Sequence, residues 1–183
     1  MESACPLCAD GRRFANPKKR KTLYGHPVCK KCCYAFANRR QLAYFIDCGF
    51  AYLAGGLAML GLAKLLVAVN LGSGAHFVIV TTAFYVVFFS VLFLRDAFGG
   101  RSIGKAVCGV RTIREKSGAT CGVKGSIVRA LPLLIPIVPL IVAFQLQKGY
   151  RWGDRWAGTR VVWRKHAGSP VFSTAAELGK VFE

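Results

Sequence analysis

Two long apolar runs dominate the pattern of hydrophobic and polar positions along the chain. The first extends from Leu42 to Val69 and is interrupted only by Asp47 and Lys64. The second, from Ala75 to Leu94, contains no formally charged residue. Because roughly 20 residues of α-helix cross the apolar core of a bilayer, we predict a transmembrane helix in each run.

A third apolar run, IVRALPLLIPIVPLIVAFQLQ, is interrupted by Pro132, Pro136 and Pro139. Each proline removes an amide donor and clashes with the preceding helical turn, so a single straight helix is not expected. Basic residues flank the run on both sides, with Lys124 and Arg129 before it and Lys148 and Arg151 after it. Short basic flanks stay in the cytosol. We therefore predict a proline-broken re-entrant hairpin, with a third, kinked transmembrane segment as the alternative.

The charge distribution supports a membrane protein. The chain has 183 residues, 54% of them hydrophobic, a mean hydropathy of +0.38 and a formal net charge of +18. Of its 26 lysines and arginines, only Lys64 lies outside three basic blocks at residues 1–40, 95–129 and 148–180. This alternation is not typical of a soluble domain. We expect the lipid bilayer and anionic lipid headgroups as partners, in a bacterial plasma membrane.

Four cysteines near the N-terminus form two CxxC pairs, Cys5 with Cys8 and Cys29 with Cys32. Each pair can present two thiolates from a tight turn, and two such pairs complete a tetrahedron around zinc. We predict a structural Zn²⁺ site in a zinc-ribbon-like module, with redox chemistry by two separate dithiols as the alternative. Paired thiols of this kind point to a reducing compartment, so we expect the N-terminus to be cytosolic.

The Lys-rich segment between the two pairs, residues 18–21, could contact nucleic acid or anionic lipid. We favour a solvated loop that fixes the cytosolic orientation, and we do not expect nucleic acid as a partner because no aromatic residues are interleaved with the basic ones.

The glycine-rich segment GGRSIGKAVCGVRTI lies between the second and third apolar runs. Its VCGVRTI portion alternates as a short strand or interfacial segment would. Gly104 and Lys105 match part of a phosphate-binding loop, but the full GxxxxGK[ST] pattern is absent. We therefore reject nucleotide binding and expect a basic element that lies on the headgroups.

Three segments together resemble the RDD family of small membrane proteins: RRQLAYFID at the first apolar run, GGRSIGKAVCGVRTI, and GDRWAGTRVV after the third run. The resemblance covers roughly residues 38–165 and makes Arg40, Asp47 and Asp154 the name-giving residues. Gly153 stands where the family commonly has histidine. The resemblance implies transport of small solutes or of monovalent cations and protons, or an accessory role in a larger membrane assembly.

The predicted fold class is therefore an all-α membrane protein with two transmembrane helices, a proline-broken re-entrant or third transmembrane segment, and a small N-terminal zinc ribbon. We divide the chain into a cytosolic zinc-ribbon-like module at residues 1–37, an RDD-like membrane domain at 38–165 and a C-terminal tail at 166–183.

Asp47 is the candidate that most needs a partner. A charge at the centre of a membrane span costs about 2.5–3.5 kcal/mol, and less near the interface. Arg40 lies two turns earlier, about 10 Å along the helix axis, which is too far for direct contact. We expect a polar cluster in which Asp47 and Asp154 meet cations from later segments. The candidate partners are Arg101, Lys105, Arg129 and Arg155.

Two functional hypotheses follow from this cluster. Either Asp47 belongs to an ion or proton site of a transporter, which would require an oligomer because two spans are few for a conduit, or the cluster is a scaffold in an accessory subunit whose zinc ribbon docks a partner. The motifs of hydrolases, zinc proteases and nucleotide-binding enzymes are absent from the sequence, so we expect no enzymatic activity.

Overall fold

The structure is a computed structural model that describes residues 4–9, 14, 16–68, 73–135 and 149–173. Helices α1 and α2 cover Lys30–Ala68 and Ser73–Leu94, α3 covers Ile103–Cys108, α4 covers Gly122–Ala130, and α5 covers Trp152–Trp156. Strands β1, β2, β3 and β4 cover Arg20–Leu23, His26–Cys29, Val110–Arg114 and Thr159–Trp163. Short 3₁₀ turns cover Pro17–Lys19, Leu131–Leu134 and Arg164–His166.

Strands β1 and β2 form an antiparallel hairpin in which Leu23 pairs with His26. The two residues between them, Tyr24 and Gly25, both have positive φ, at 52° and 87°. A two-residue connection with this geometry matches the right-handed twist of the paired strands. The hairpin delivers Cys29 directly to the start of α1.

Helix α1 has 39 residues and is therefore about 58 Å long, almost twice the thickness of a bilayer core. Its N-terminal part thus extends out of the membrane toward the cysteine-bearing module. The buried residues of α1 recur every three or four positions along one stripe, which includes Phe36, Arg40, Ala43, Asp47 and Ala51. One continuous face of the helix thus packs first against the module and then against α3 and α2.

Helices α1 and α2 are the two helices of the described chain that are long and apolar enough to cross a membrane. In the most apolar stretch of 18 residues, only 11% of the residues of α1 and 6% of those of α2 are buried. The core helix of a soluble protein would be mostly buried, whereas these helices expose apolar side chains as a lipid-facing surface requires. Close packing occurs at Gly55, where a Cβ atom would lie 3.0 Å from the ring of Phe84.

The described residues also contain two small antiparallel sheets, β1–β2 and β3–β4, so the fold is mostly helical rather than all-α. In the second sheet Val110 pairs with Trp163 and Arg114 with Thr159. The predicted strand in VCGVRTI is thus present as β3. It follows directly from α3, because Gly109 ends that helix in the left-handed conformation at φ 67°, which glycine adopts without strain.

The third apolar run begins at α4, which ends at Ala130 and continues as the 3₁₀ turn that contains Pro132. Residues 136–148 lie outside the described residues, and with them the predicted re-entrant hairpin, Pro136 and Pro139.

The predicted module boundary at residues 37 and 38 falls inside α1. One apolar core joins both sides of it, because Phe36 packs with Trp163 of β4 and with Phe172 of the C-terminal segment.

Candidate functional site

Asp47 lies on the buried stripe of α1 and fastens the glycine-rich segment to it. Its Oδ2 accepts a hydrogen bond from Ser102 Oγ at 2.6 Å, and its Oδ1 accepts one from the backbone N–H of Gly104 at 2.8 Å. Ser102 is also the N-cap of α3. A Cβ atom on Gly104 would lie 2.1 Å from the carbonyl oxygen of Ala43, so only glycine allows this approach.

Asp154, at the start of α5, is fully buried among guanidinium groups. Its carboxylate pairs with Arg40 Nη2 at 2.8 Å, with Arg129 Nε at 2.8 Å and with Arg151 Nη2 at 3.4 Å. Arg40 also donates to the carbonyl of Gly149. The neighbouring Gly153 is equally constrained, because a Cβ atom there would lie 2.1 Å from the carbonyl oxygen of Arg129. A side chain at position 153 therefore has no room in this arrangement.

Asp96 continues the same network beyond the end of α2. Arg129 Nη1 contacts Asp96 Oδ2 at 2.7 Å, and Lys105 Nζ pairs with the other carboxylate oxygen. Thr112 Oγ1 of β3 accepts hydrogen bonds from Arg129 at 2.6 Å and from Lys105 at 3.1 Å. The Ser126 hydroxyl accepts from the Asp96 amide at 3.1 Å and donates to the Phe93 carbonyl. We call this chain of contacts the buried charge network; its members are Arg40, Asp96, Lys105, Thr112, Arg129, Arg151 and Asp154.

Positive side chains outnumber carboxylates in the buried charge network, and this sets the pKa values of its acids. Burial alone would raise the pKa of Asp154, but Arg129, Arg151 and Arg40 outweigh it and hold that pKa well below its usual value. Burial likewise opposes ionisation of Asp96, and Lys105 and Arg129 hold its pKa below the usual range. Both carboxylates are therefore ionised throughout the physiological pH range.

The structure brings together most, but not all, of the predicted site residues. Lys105 and Arg129 lie in the buried charge network, but they pair with Asp96 rather than with Asp47. Arg101 and Arg155 are exposed. No ion pair reaches Arg101, Arg155 or Asp47 from any residue that the structure describes. The expected arginine partner of Asp47 is thus replaced by a hydroxyl and a backbone amide.

Sequence reasoning did not identify Asp96, Thr112, Ser102 or Arg151 as site residues. For Asp96 a signal was present, since it is the first acid after an uncharged span and follows Arg95 directly. An acid at that depth needs a partner for the same reason as Asp47. The roles of Thr112 and Ser102 depend on tertiary contacts that no local pattern encodes.

The cysteines form a separate cluster in the N-terminal module. The Sγ atoms of Cys5, Cys8, Cys29 and Cys32 all lie within 4.8 Å of one another, and those of Cys8 and Cys29 are 3.6 Å apart. Tetrahedral ligands at a Zn–S distance of about 2.3 Å would be about 3.8 Å apart, which this arrangement matches. Backbone N–H groups of Cys29 and Cys32 point to the sulfurs of Cys5 and Cys29, a polarity that suits thiolates. These four residues could hold a metal ion.

Comparison with protein families identifies the membrane part of the molecule. The model of the RDD family matches residues 34–158, more than half of the chain. This chain belongs to the RDD family. No curated protein and no solved structure matches it. The RDD match contains Arg40, Asp47 and Asp154, and with them the whole buried charge network.

The cysteine cluster lies before residue 34 and hence outside the RDD match. It is nevertheless attached rigidly to the RDD domain, because Cys32 belongs to the same helix as Arg40 and Asp47. Ser169 Oγ, from the C-terminal segment, also contacts the carbonyl of Pro6 at 3.4 Å. Helix α1 therefore carries part of the candidate metal site at its N-terminal end and, further along, joins the buried charge network of the RDD domain through Arg40.

Proposed function

We propose that this RDD protein is a non-catalytic accessory protein of the bacterial plasma membrane, and that its N-terminal module docks a partner at the cytosolic face. The observation that carries the proposal is the pairing of Asp96 and Asp154 with buried arginines. Acids held ionised in this way stabilise a fixed arrangement of helices. They are poor carriers of protons, because a carrier must change its protonation state near physiological pH.

The proposed module is folded around structural zinc. Four thiolates leave no coordination position open for water, so the metal would stabilise the module rather than catalyse a reaction. Zinc binding supplies on the order of 10 kcal/mol to small metal-dependent folds. The exposed surface beside Cys8, which includes Ala9, Lys31 and Lys165, borders a cavity of about 680 Å³ and provides room for a docked segment.

The experiment that tests docking is purification of the tagged full-length protein from native membranes in mild detergent. We expect a second chain to co-isolate in fixed stoichiometry with the wild type and with Cys48→Ser, whose thiol is outside the cysteine cluster. Cys29→Ser should lose that chain because the module no longer holds its metal. A wild-type protein that isolates as a sole species would count against the accessory function.

Transport of small solutes or monovalent cations and protons is the competing function, and one observation favours it. Asp47 is buried in the first span, 3% exposed, and forms no ion pair with any described residue. Its charge is therefore the one that a bound cation could neutralise. Since no acid lies between Cys48 and Leu94, a conduit would need hydroxyls, carbonyls or a second copy of the chain.

Ion flux into vesicles that contain the purified protein distinguishes the two functions. The transport hypothesis requires wild-type flux above that of empty vesicles and its loss in Asp47→Asn. The accessory function predicts equal flux in wild-type, Asp47→Asn and empty vesicles. Asp47→Asn is a suitable probe because it removes the charge and keeps an oxygen for one of the two hydrogen bonds.

A further inference from the structure

A groove lies beside Asp47, between the two membrane helices and the start of α3. Its volume is about 370 Å³. Its apolar wall consists of Phe50 on α1, Val91 and Leu94 on α2, and Phe98 just beyond α2. Phe50 is 45% exposed and Phe98 is 80% exposed. Large exposed apolar groups that share one groove mark a site of contact with lipid or another apolar partner.

Two arginines, Arg95 and Arg101, line the same groove. Neither forms an ion pair with a described residue, and the Arg95 guanidinium lies 5.3 Å from the ring centroid of Tyr44. Asp47 also borders the groove, but both of its oxygens already accept hydrogen bonds from Ser102 and Gly104. With two arginines and one carboxylate, the mouth of the groove carries a net positive charge.

The position of the groove identifies its occupant. Helix α2 has 22 residues and is about 33 Å long, close to the thickness of a bilayer core. The arginines follow its last residue, so they lie at the depth of lipid phosphates, while Val91 lies at the depth of the acyl chains. Lipids of negative headgroup charge are attracted to basic residues at this depth.

We propose that the groove binds one anionic glycerophospholipid, with its phosphate between Arg95 and Arg101 and the upper part of one acyl chain against Phe50, Val91 and Leu94. The lipid bridges α1, α2 and the glycine-rich segment. It is a specific ligand of this groove, distinct from the general attraction of the basic surface for headgroups. The site does not depend on whether the protein transports ions or docks a partner.

The proposal is tested by native mass spectrometry of the full-length protein released from nanodiscs of equimolar phosphatidylglycerol and phosphatidylcholine. We expect the wild type to retain one phosphatidylglycerol in preference to phosphatidylcholine. An arginine near the surface contributes about fivefold to anionic lipid binding, so Arg95→Gln/Arg101→Gln should reduce that preference about 25-fold. Arg155→Gln, which removes an exposed arginine outside the groove, should retain it.

Three further arms keep the test decisive. Arg101→Gln alone alters an exposed side chain, so it should fold normally and lower the preference about fivefold. Ser90→Trp fills the apolar end of the groove and should reduce retention of both lipids. Inorganic phosphate at millimolar concentration should not displace phosphatidylglycerol, whereas displacement would indicate a free-phosphate site and overturn the lipid assignment. An equal preference for phosphatidylglycerol in the wild type, in Arg101→Gln and in Arg95→Gln/Arg101→Gln would also overturn the proposal.

Discussion

The two family-signature acids should respond differently to the same substitution, because one is ion-paired and the other is not. Asp154→Asn removes the charge that offsets Arg40, Arg129 and Arg151, all of which are at least partly enclosed beside it. Breaking a buried pair on one side costs about 3–5 kcal/mol, since the remaining cations stay buried and uncompensated. Asp47→Asn leaves no cation unpaired and weakens one hydrogen bond, at a cost of about 1 kcal/mol.

Thermal unfolding of the purified protein in mild detergent measures the difference. For a chain of this length 1 kcal/mol corresponds to about 2–4 °C in Tm. We therefore expect Asp154→Asn to lower Tm by about 10 °C and Asp47→Asn by about 3 °C. Equal shifts in the two variants, or an unchanged Tm in Asp154→Asn, would refute the conclusion that Asp154 is ion-paired whereas Asp47 has only uncharged partners.

Three other predictions concern the packing, the metal and the pH dependence. Gly104→Ala should lower the free energy of unfolding by about 1–3 kcal/mol, because the new Cβ would lie 2.1 Å from the Ala43 carbonyl oxygen. Gly56→Ala should leave it unchanged, because a Cβ there meets nothing within 4 Å. Denaturation of both variants in the same detergent measures the difference. Elemental analysis should find one zinc per chain in the wild type and in Cys48→Ser but none in Cys29→Ser. An equal zinc content in all three proteins would contradict a metal site at the cysteine cluster. Folding lowers the pKa values of Asp96 and Asp154, so their contribution to stability is complete well above the unfolded value of about 3.9. It is lost progressively as pH falls from about 5 toward the lowered pKa values of the folded state. Tm should accordingly be level from pH 8 to 5 and then fall, with a shallower fall in Asp154→Asn.

Hydropathy predicted the membrane helices well at the ends that lie in lipid. The second span was expected to end at Leu94, as α2 does. The first was expected to end at Val69, and α1 is described as far as Ala68. The start of α1 at Lys30 was missed by twelve residues from the predicted Leu42. Hydropathy registers only the part of a helix that lipid surrounds, and the earlier turns of α1 pack against the cysteine-bearing module instead.

The candidate sites were predictable to different degrees for a physical reason. The spacing of two CxxC pairs nearly determines the cysteine cluster, because each pair brings its own sulfurs together locally. The partners of Asp47 come from residues 55 and 57 positions away. The need for a polar partner follows from the cost of burying charge, but its identity does not, since a serine and a backbone amide meet that need as well as an arginine.

The buried charge network also limits the motions available to this RDD protein. An exchanger must alternate between two arrangements, and a ligand that reverses a 1:99 equilibrium must favour one state by about 5.5 kcal/mol. A motion of α5 away from α1 would separate Arg40 from Asp154, and the loss of one buried pair costs about 3–5 kcal/mol. The cost of such a motion is therefore comparable with the whole differential binding free energy that reversing such an equilibrium requires. Any alternation would therefore have to leave the network intact and involve the membrane-spanning parts of α1 and α2, where the buried Gly55 closely contacts Phe84. A network that resists rearrangement suits the proposed accessory protein, which would hold its cysteine-bearing module in a fixed position relative to the membrane helices.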